Sequence, residues 1–290
     1  MTTKNPVAAI ERPVRMQTAL AALPATSEAM RAELGRWMEM VMPTEGGAPA
    51  PDLSYGASTD AAMVTTTWRI SAGTQRIRRG LDSYFADFGV DDAEAARLDA
   101  TLEMLGPKRA GIWIEMGDDA LDTGWFFDEP CDVTKVFAVA GGGGSLGEKA
   151  RAWAQRHRVT RTAYVARSLG AKNPYHDVFL PVTTVDAALE LVSAFELPAP
   201  NALVEDGLRR GATETAGASV RVTETGVTRV GVLARRPPTT AVLSLLGTRD
   251  QRNPKLLAVF EGALGVSGAA WAEYEIYSNR TNLELHYTLE

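Results

Sequence analysis

Strand-like segments in this chain come in pairs, each closed by a short turn and separated from the next pair by helical sequence. This rhythm limits the possible folds more than any single motif does. The clearest pair is 216–223 with 226–235, turning at Glu224-Thr225-Gly226, where glycine supplies the backbone freedom a tight hairpin needs. The others are 52–57 with 61–71, 110–117 with 132–140, 159–168 with 174–182, and 269–278 with 281–289. In this reading Trp125 and Phe126 belong to a loop between the two strands of the second pair. Helical spacing of apolar residues predicts helices over 26–42, 74–88, 91–105, 146–157, 184–196, 201–210, 240–247 and 254–264.

Five antiparallel hairpins that return through helices predict an α+β chain whose ten strands close into a barrel ringed by helices, because closure removes the edges that invite aggregation. The last strand shows the two faces such a barrel needs. Leu283, Leu285, Tyr287 and Leu289 form one side, and Asn282, Glu284, His286 and Thr288 the other. A polar inner face implies a solvated or ligand-filled lumen; an open sheet with that face in water satisfies the same pattern. Residues 1–25 read as a flexible arm and 26–290 as one domain.

Composition narrows the function. A net charge of −6 argues against a protein built to grip nucleic acid, although a local basic pocket is compatible with it. The single cysteine, Cys131, excludes an internal disulfide framework, and three scattered histidines offer no evident metal site. Met1 to Arg15 holds no apolar stretch of the kind a signal peptide uses, and no run approaches the roughly eighteen apolar residues of a membrane span. A soluble cytoplasmic protein is expected, and a barrel with its own helical coat is expected to be monomeric.

Assigning the aliphatic side of each strand to the helices leaves cations on the other side. Trp68 and Ile70 face out, so Arg69 faces in; Lys135 and Phe137 share a strand face; Arg167 and Arg229 sit on mainly apolar strands. Val178 and Leu180 face out, which leaves Tyr175, Asp177 and Phe179 inward and puts His176 under the helices. Mid-strand charges are uncommon without partners. Four cations from four strands, with a tyrosine, suit a multiply charged anion such as a diphosphate.

The stretch from Asp132-Val-Thr-Lys-Val-Phe through Trp153 and Tyr164-Val-Ala-Arg-Ser to Tyr175-His-Asp-Val-Phe-Leu resembles the middle section of the ABBA aromatic prenyltransferases. So do Leu197-Pro-Ala-Pro-Asn-Ala-Leu, the hairpin Ser219 to Arg229, and the last strand from Asn282. The resemblance implies a PT barrel of αββα repeats and the transfer of an allylic isoprenoid from its diphosphate to an electron-rich aromatic acceptor. Diphosphate would be bound by Arg69, Lys135, Arg167, Tyr175 and Arg229, with Trp113, Phe137, Phe179 and His286 lining the substrate pocket and Glu284 acting as the base. Where magnesium-using members carry an aspartate two residues before Arg69, this chain has Thr67, which implies an enzyme with no metal requirement and no cofactor beyond the prenyl diphosphate. The family lysine expected near the third turn falls on Asn173 or Lys172 depending on register, and the one expected on the last strand falls on Asn282.

Two other readings compete. Gly142 to Gly147 fits the glycine fingerprint of dinucleotide-binding enzymes, ahead of a helix. A barrel that only sequesters a hydrophobic ligand is the other, and its lumen would lack convergent cations.

Overall fold

Alternation of large apolar residues with small or polar ones gives each strand a side that packs and a side that faces away. The first pair is β1 (Asp52–Ser58) with β2 (Val64–Gly73), the second β3 (Arg109–Met116) with β4 (Leu121–Phe127). The third is β5 (Tyr164–Ser168) with β6 (His176–Leu180), the fourth β7 (Glu214–Thr223) with β8 (Gly226–Arg235), the fifth β9 (Trp271–Tyr277) with β10 (Thr281–Tyr287). Every strand runs antiparallel to its neighbours, and β1 pairs with both β2 and β10, so the sheet closes into a ten-stranded barrel. The computed structural model describes residues 32, 52–58, 64–73, 92–116, 121–127, 129–141, 145–169, 174–200, 202–212, 214–247 and 252–287. Residues 1–25 and the expected helix over 74–88 lie outside these, as does the expected 26–42 helix apart from Ala32.

Helices fill the connections: α1 (Asp92–Leu105), α2 (Val133–Val139), α3 (Ser145–Arg156), α4 (Val185–Ala194), α5 (Ala202–Gly211), α6 (Thr239–Gly247) and α7 (Arg252–Leu264). The hydrophobic core is the shell between them and the barrel. Ile112, Ile114, Val178, Val220, Val230 and Leu283 meet Leu98, Phe137, Trp153, Leu191, Leu208 and Phe260 there, all 3 % exposed or less. Burying each of these side chains contributes about 1.5–3 kcal/mol, which fixes which face of every strand turns outward. Polar ties lock the coat: Trp153 Nε1 donates to the Ala187 carbonyl at 3.0 Å, and Tyr287 Oη donates to Glu261 at 2.7 Å.

The second strand pair differs from the sequence expectation. The partner of β3 is β4, the segment expected as a loop, and 132–140 is mostly helix α2. Val133, Val136 and Phe137 are the buried residues of α2, at helical spacing, and Asp132 caps the helix by accepting from the Lys135 amide at 3.0 Å. A side-chain acceptor at the N-cap satisfies one of the orphan amides of the first turn. Lys135 is therefore corrected from the lumen to an exposed helix surface, and Phe137 from the lumen to the shell under the helices.

Candidate active site

The inner faces of the strands are polar and aromatic. Trp113 on β3, Tyr164 on β5, and Tyr175 and Phe179 at β6 form an aromatic wall. The rings of Trp113 and Tyr175 stack at 6.5 Å, and those of Tyr164 and Phe179 meet edge-on at 4.7 Å. Gly124, opposite Trp113 across β3–β4, makes room for that wall; a β-carbon there would stand 2.6 Å from the indole and 1.8 Å from the Arg167 carbonyl oxygen. These four aromatic side chains line one cavity.

Three arginines reach into this cavity, from β2, β7 and β8. Arg69 Nη1 donates to His286 Nδ1 at 3.0 Å, and its Nη2 lies 3.6 Å from Glu284. Arg221 donates to both oxygens of Asp177, at 2.9 and 2.7 Å. Arg229, 1 % exposed, pairs with the same Asp177 at 2.9 Å, with Glu273 at 3.4 Å and with Glu275. Burial alone would raise the Asp177 pKa, but Arg221 and Arg229 together reverse that and hold it below the ordinary value. Asp177 thus stays ionised and clamps two guanidiniums side by side.

Carboxylates outnumber the arginines. Glu115, Asp177, Glu273 and Glu284 line the cavity. Asp122 accepts from Tyr175 Oη at 3.1 Å and from Ser168 Oγ at 2.9 Å, and burial raises its pKa against those bonds. Burial also pushes the Tyr175 phenol well above its usual value, so it is a neutral hydrogen-bond donor.

Of the residues singled out in the sequence, the structure brings Arg69, Trp113, Tyr175, Phe179, Arg229, Glu284 and His286 together around one lumen. It removes Lys135, Phe137 and Arg167. Arg167 is 3 % exposed but faces outward, donating to Glu94 of α1 at 2.9 Å through Nε and to His176 Nδ1 at 3.3 Å. It is a tie between barrel and coat, and a buried guanidinium held this way is satisfied without any ligand. His176 is buried under the helices as expected. Sequence reasoning missed Arg221, although Val220 and Val222 on either side already fix its parity, and it missed Ser219 and Glu273 as site residues.

The glycine fingerprint loses its context. Gly142 to Gly144 lie outside the described residues, but the segment ahead of them is helix α2, and the sheet is antiparallel throughout. A dinucleotide site of that kind needs a strand before the loop and a parallel crossover after it.

The chain has the PT-barrel fold of solved prenyltransferases. The apo form of the prenyltransferase PriB superposes with a TM-score of 0.68 at 13 % identity, covering 96 % of this chain and 95 % of that one. The 5-dimethylallyl tryptophan synthase of Streptomyces coelicolor, in complex with DMASPP and Trp, gives 0.64 at 12 % identity over 94 % of both chains. AnaPT from Neosartorya fischeri gives 0.61 at 9 % identity, over 96 % of this chain and 92 % of the other. No family model matches the sequence. Among curated proteins, a PH domain-containing protein of Dictyostelium discoideum is 27 % identical over 274 residues, which covers 87 % of this chain. The match spans 59 % of that relative's length. Among the described residues, no helix is long and apolar enough to cross a membrane.

Proposed function

We propose that this chain transfers an allylic isoprenoid from its diphosphate to an electron-rich aromatic acceptor inside the barrel. The observation that carries this reading is the convergence of Arg69, Arg221 and Arg229 on one aromatic-walled cavity. The fold shared with solved prenyltransferases supports it. Guanidiniums match phosphate oxygens in pairs and would hold the diphosphate and stabilise the charge that builds on it as it leaves. Trp113, Tyr164, Tyr175 and Phe179 present ring faces that shelter an allyl cation. Glu284, on β10 and in the same cavity, takes the proton that the alkylated ring must lose.

Each arginine already has a carboxylate partner, so diphosphate binding is an exchange of anions. Asp177 and Glu273 yield guanidinium contacts to the incoming oxygens, and no divalent cation is required to hold it. Calorimetric titration with dimethylallyl thiodiphosphate, in EDTA and then in magnesium, tests this. Binding in EDTA that is lost in Arg229→Ala protein with a native circular dichroism spectrum is the expected outcome. No binding in either buffer overturns the reading. A barrel that only sequesters an apolar ligand would bind its ligand equally well after charge reversal at Arg229.

A further inference from the structure

Glu273 on β9 and Glu284 on β10 are direct cross-strand partners, and both line the cavity. Like charges set opposite one another destabilise a sheet, and side-chain exposures of 1 % and 12 % leave little water to screen these two. Arginines offset part of the repulsion, with Arg229 at 3.4 Å from Glu273 and Arg69 at 3.6 Å from Glu284. The seat of Glu273 is shaped around its carboxyl group. Gly231 on β8 leaves the space open, since a β-carbon there would stand 2.2 Å from Oε1, and Ser219 Oγ donates a short hydrogen bond to the same oxygen.

His286 decides what belongs between the two carboxylates. Glu273, Glu284 and His286 bring ligand atoms within 4.8 Å of one another, a spacing that suits a metal ion. However, His286 Nδ1 accepts from Arg69, and a guanidinium can only donate, so the neutral ring carries its proton on Nε2. That nitrogen is 3.5 Å from Glu284 Oε1 and makes no hydrogen bond among the described residues, on a ring only 3 % exposed. It presents an N–H and no lone pair toward the carboxylates, and two guanidiniums border the same space. The cluster suits a proton better than a metal.

We propose that Glu273 and Glu284 form a carboxyl dyad that takes up one proton when a diphosphate occupies Arg69 and Arg229, Glu273 holding that proton and Glu284 staying ionised to accept the next. This rests on the prenyl-transfer reading. A diphosphate draws away the guanidinium charge that now offsets the pair, and two adjacent buried carboxylates beside a further anion do not both stay ionised. The charged groups facing Glu273 are Arg229 on β8, Glu284 on β10 and Asp177 on β6; burial raises its proton affinity, Arg229 and the Ser219 hydrogen bond oppose this, and Glu284 and Asp177 add to it. Facing Glu284 are Arg69 on β2 and His286 on its own strand. Burial and Arg69, against the pull of Glu284, keep the His286 pKa at about 3, so the histidine stays neutral and is not the proton's source. In the transfer itself the allylic C–O bond breaks with its electron pair going to the diphosphate oxygen, and a C–C bond forms to the acceptor ring. The C–H pair then returns to the ring as the proton passes to Glu284, with no net oxidation.

The test is titration of the full chain with dimethylallyl thiodiphosphate in EDTA at about pH 8, where the terminal phosphate is ionised, in buffers of different ionisation enthalpy. The heat is expected to vary with buffer by the amount that corresponds to about one proton taken up per site. Glu273→Gln keeps the shape and the Ser219 bond, and is expected to bring the uptake near zero while binding persists. Equal heats in every buffer, or unchanged uptake in Glu273→Gln, overturns the dyad and leaves the prenyl-transfer reading standing. Absence of binding overturns both. The wild-type series needs no variant, so it decides the matter even if Glu273→Gln does not fold.

Discussion

Arg221 lies over the ring of Tyr175, its guanidinium carbon 3.6 Å from the ring centroid, while two of its nitrogens close on Asp177. Tyr175 in turn donates to Asp122, and Asp177 also binds Arg229. One polar chain therefore crosses the inner wall from β4 to β8, with the aromatic ring as one of its links. Arg221→Ala breaks the chain at its centre, and at least a tenfold loss of thiodiphosphate affinity, about 1.4 kcal/mol, is expected by calorimetry. Tyr175→Phe keeps the ring under Arg221, and its affinity is expected to stay within about threefold of wild type, since that corresponds to less than about 1 kcal/mol.

Two cations with similar standing in the sequence are expected to behave differently from each other. Lys135→Ala changes an exposed helix surface, so urea unfolding is expected to shift by no more than about 0.5 kcal/mol and ligand binding not at all. Arg167→Ala takes from Glu94 the guanidinium that donates to both its oxygens, leaving Arg97 at 3.6 Å, and the Arg167–Glu94 pair has side-chain exposures of 3 % and 16 %. A loss of about 3 kcal/mol is expected, with affinity per folded molecule unchanged.

Gly124→Ala tests how closely β4 approaches its neighbours. The added carbon meets a backbone carbonyl at 1.8 Å and the Trp113 indole at 2.6 Å. A carbonyl in a sheet ladder has nowhere to go, so destabilisation is expected at or above the upper end of ordinary overpacking, about 3 kcal/mol. Thermal unfolding measures it.

His176 makes stability depend on pH. Burial, with Arg167 and Arg97 adding to it and Asp177 opposing, lowers its pKa from 6.5 to about 3. Below pH 6.5 the unfolded chain takes up a proton that the folded chain refuses, so this contribution is full above that pH and is lost toward pH 3. The loss steepens to about 1.4 kcal/mol per pH unit once the pH is well below 6.5. Glu273 and Asp122, with raised pKa values, act in the opposite sense, so the comparison must be made against a variant. Between about pH 6.5 and 5.5 the wild type is expected to lose about 1 kcal/mol more than His176→Asn in urea unfolding, because the unfolded histidine is already half protonated at the upper limit.

Much of this architecture is legible in the sequence alone. The fourth hairpin carries a turn signal and clean alternation together, and its second strand falls on the expected residues, 226–235. The second pair misled because Val133, Thr134 and Val136 are strand-favouring residues in a short helix, while the real strand hides its alternation. Leu121 to Phe127 turns aromatic Trp125 and Phe127 outward and a mixed set of Asp122, Gly124 and Phe126 inward. Arg167 could not be placed from the sequence, because the carboxylate that holds it sits 73 residues away on α1. Arg221 could have been placed by its valine neighbours. The dyad could not, because its two members share a site only through the register of β9 and β10.

That register carries a practical warning for anyone who would redesign the pocket. In a closed ring every strand is keyed to two others, so a one-residue insertion in β8 would turn Arg229 toward the helices and bring Val230 into the lumen. The hydrogen-bond ladder and the reagent list are one text read in a single frame. Changes of pocket chemistry have to be written as substitutions, and changes of length belong in the connections.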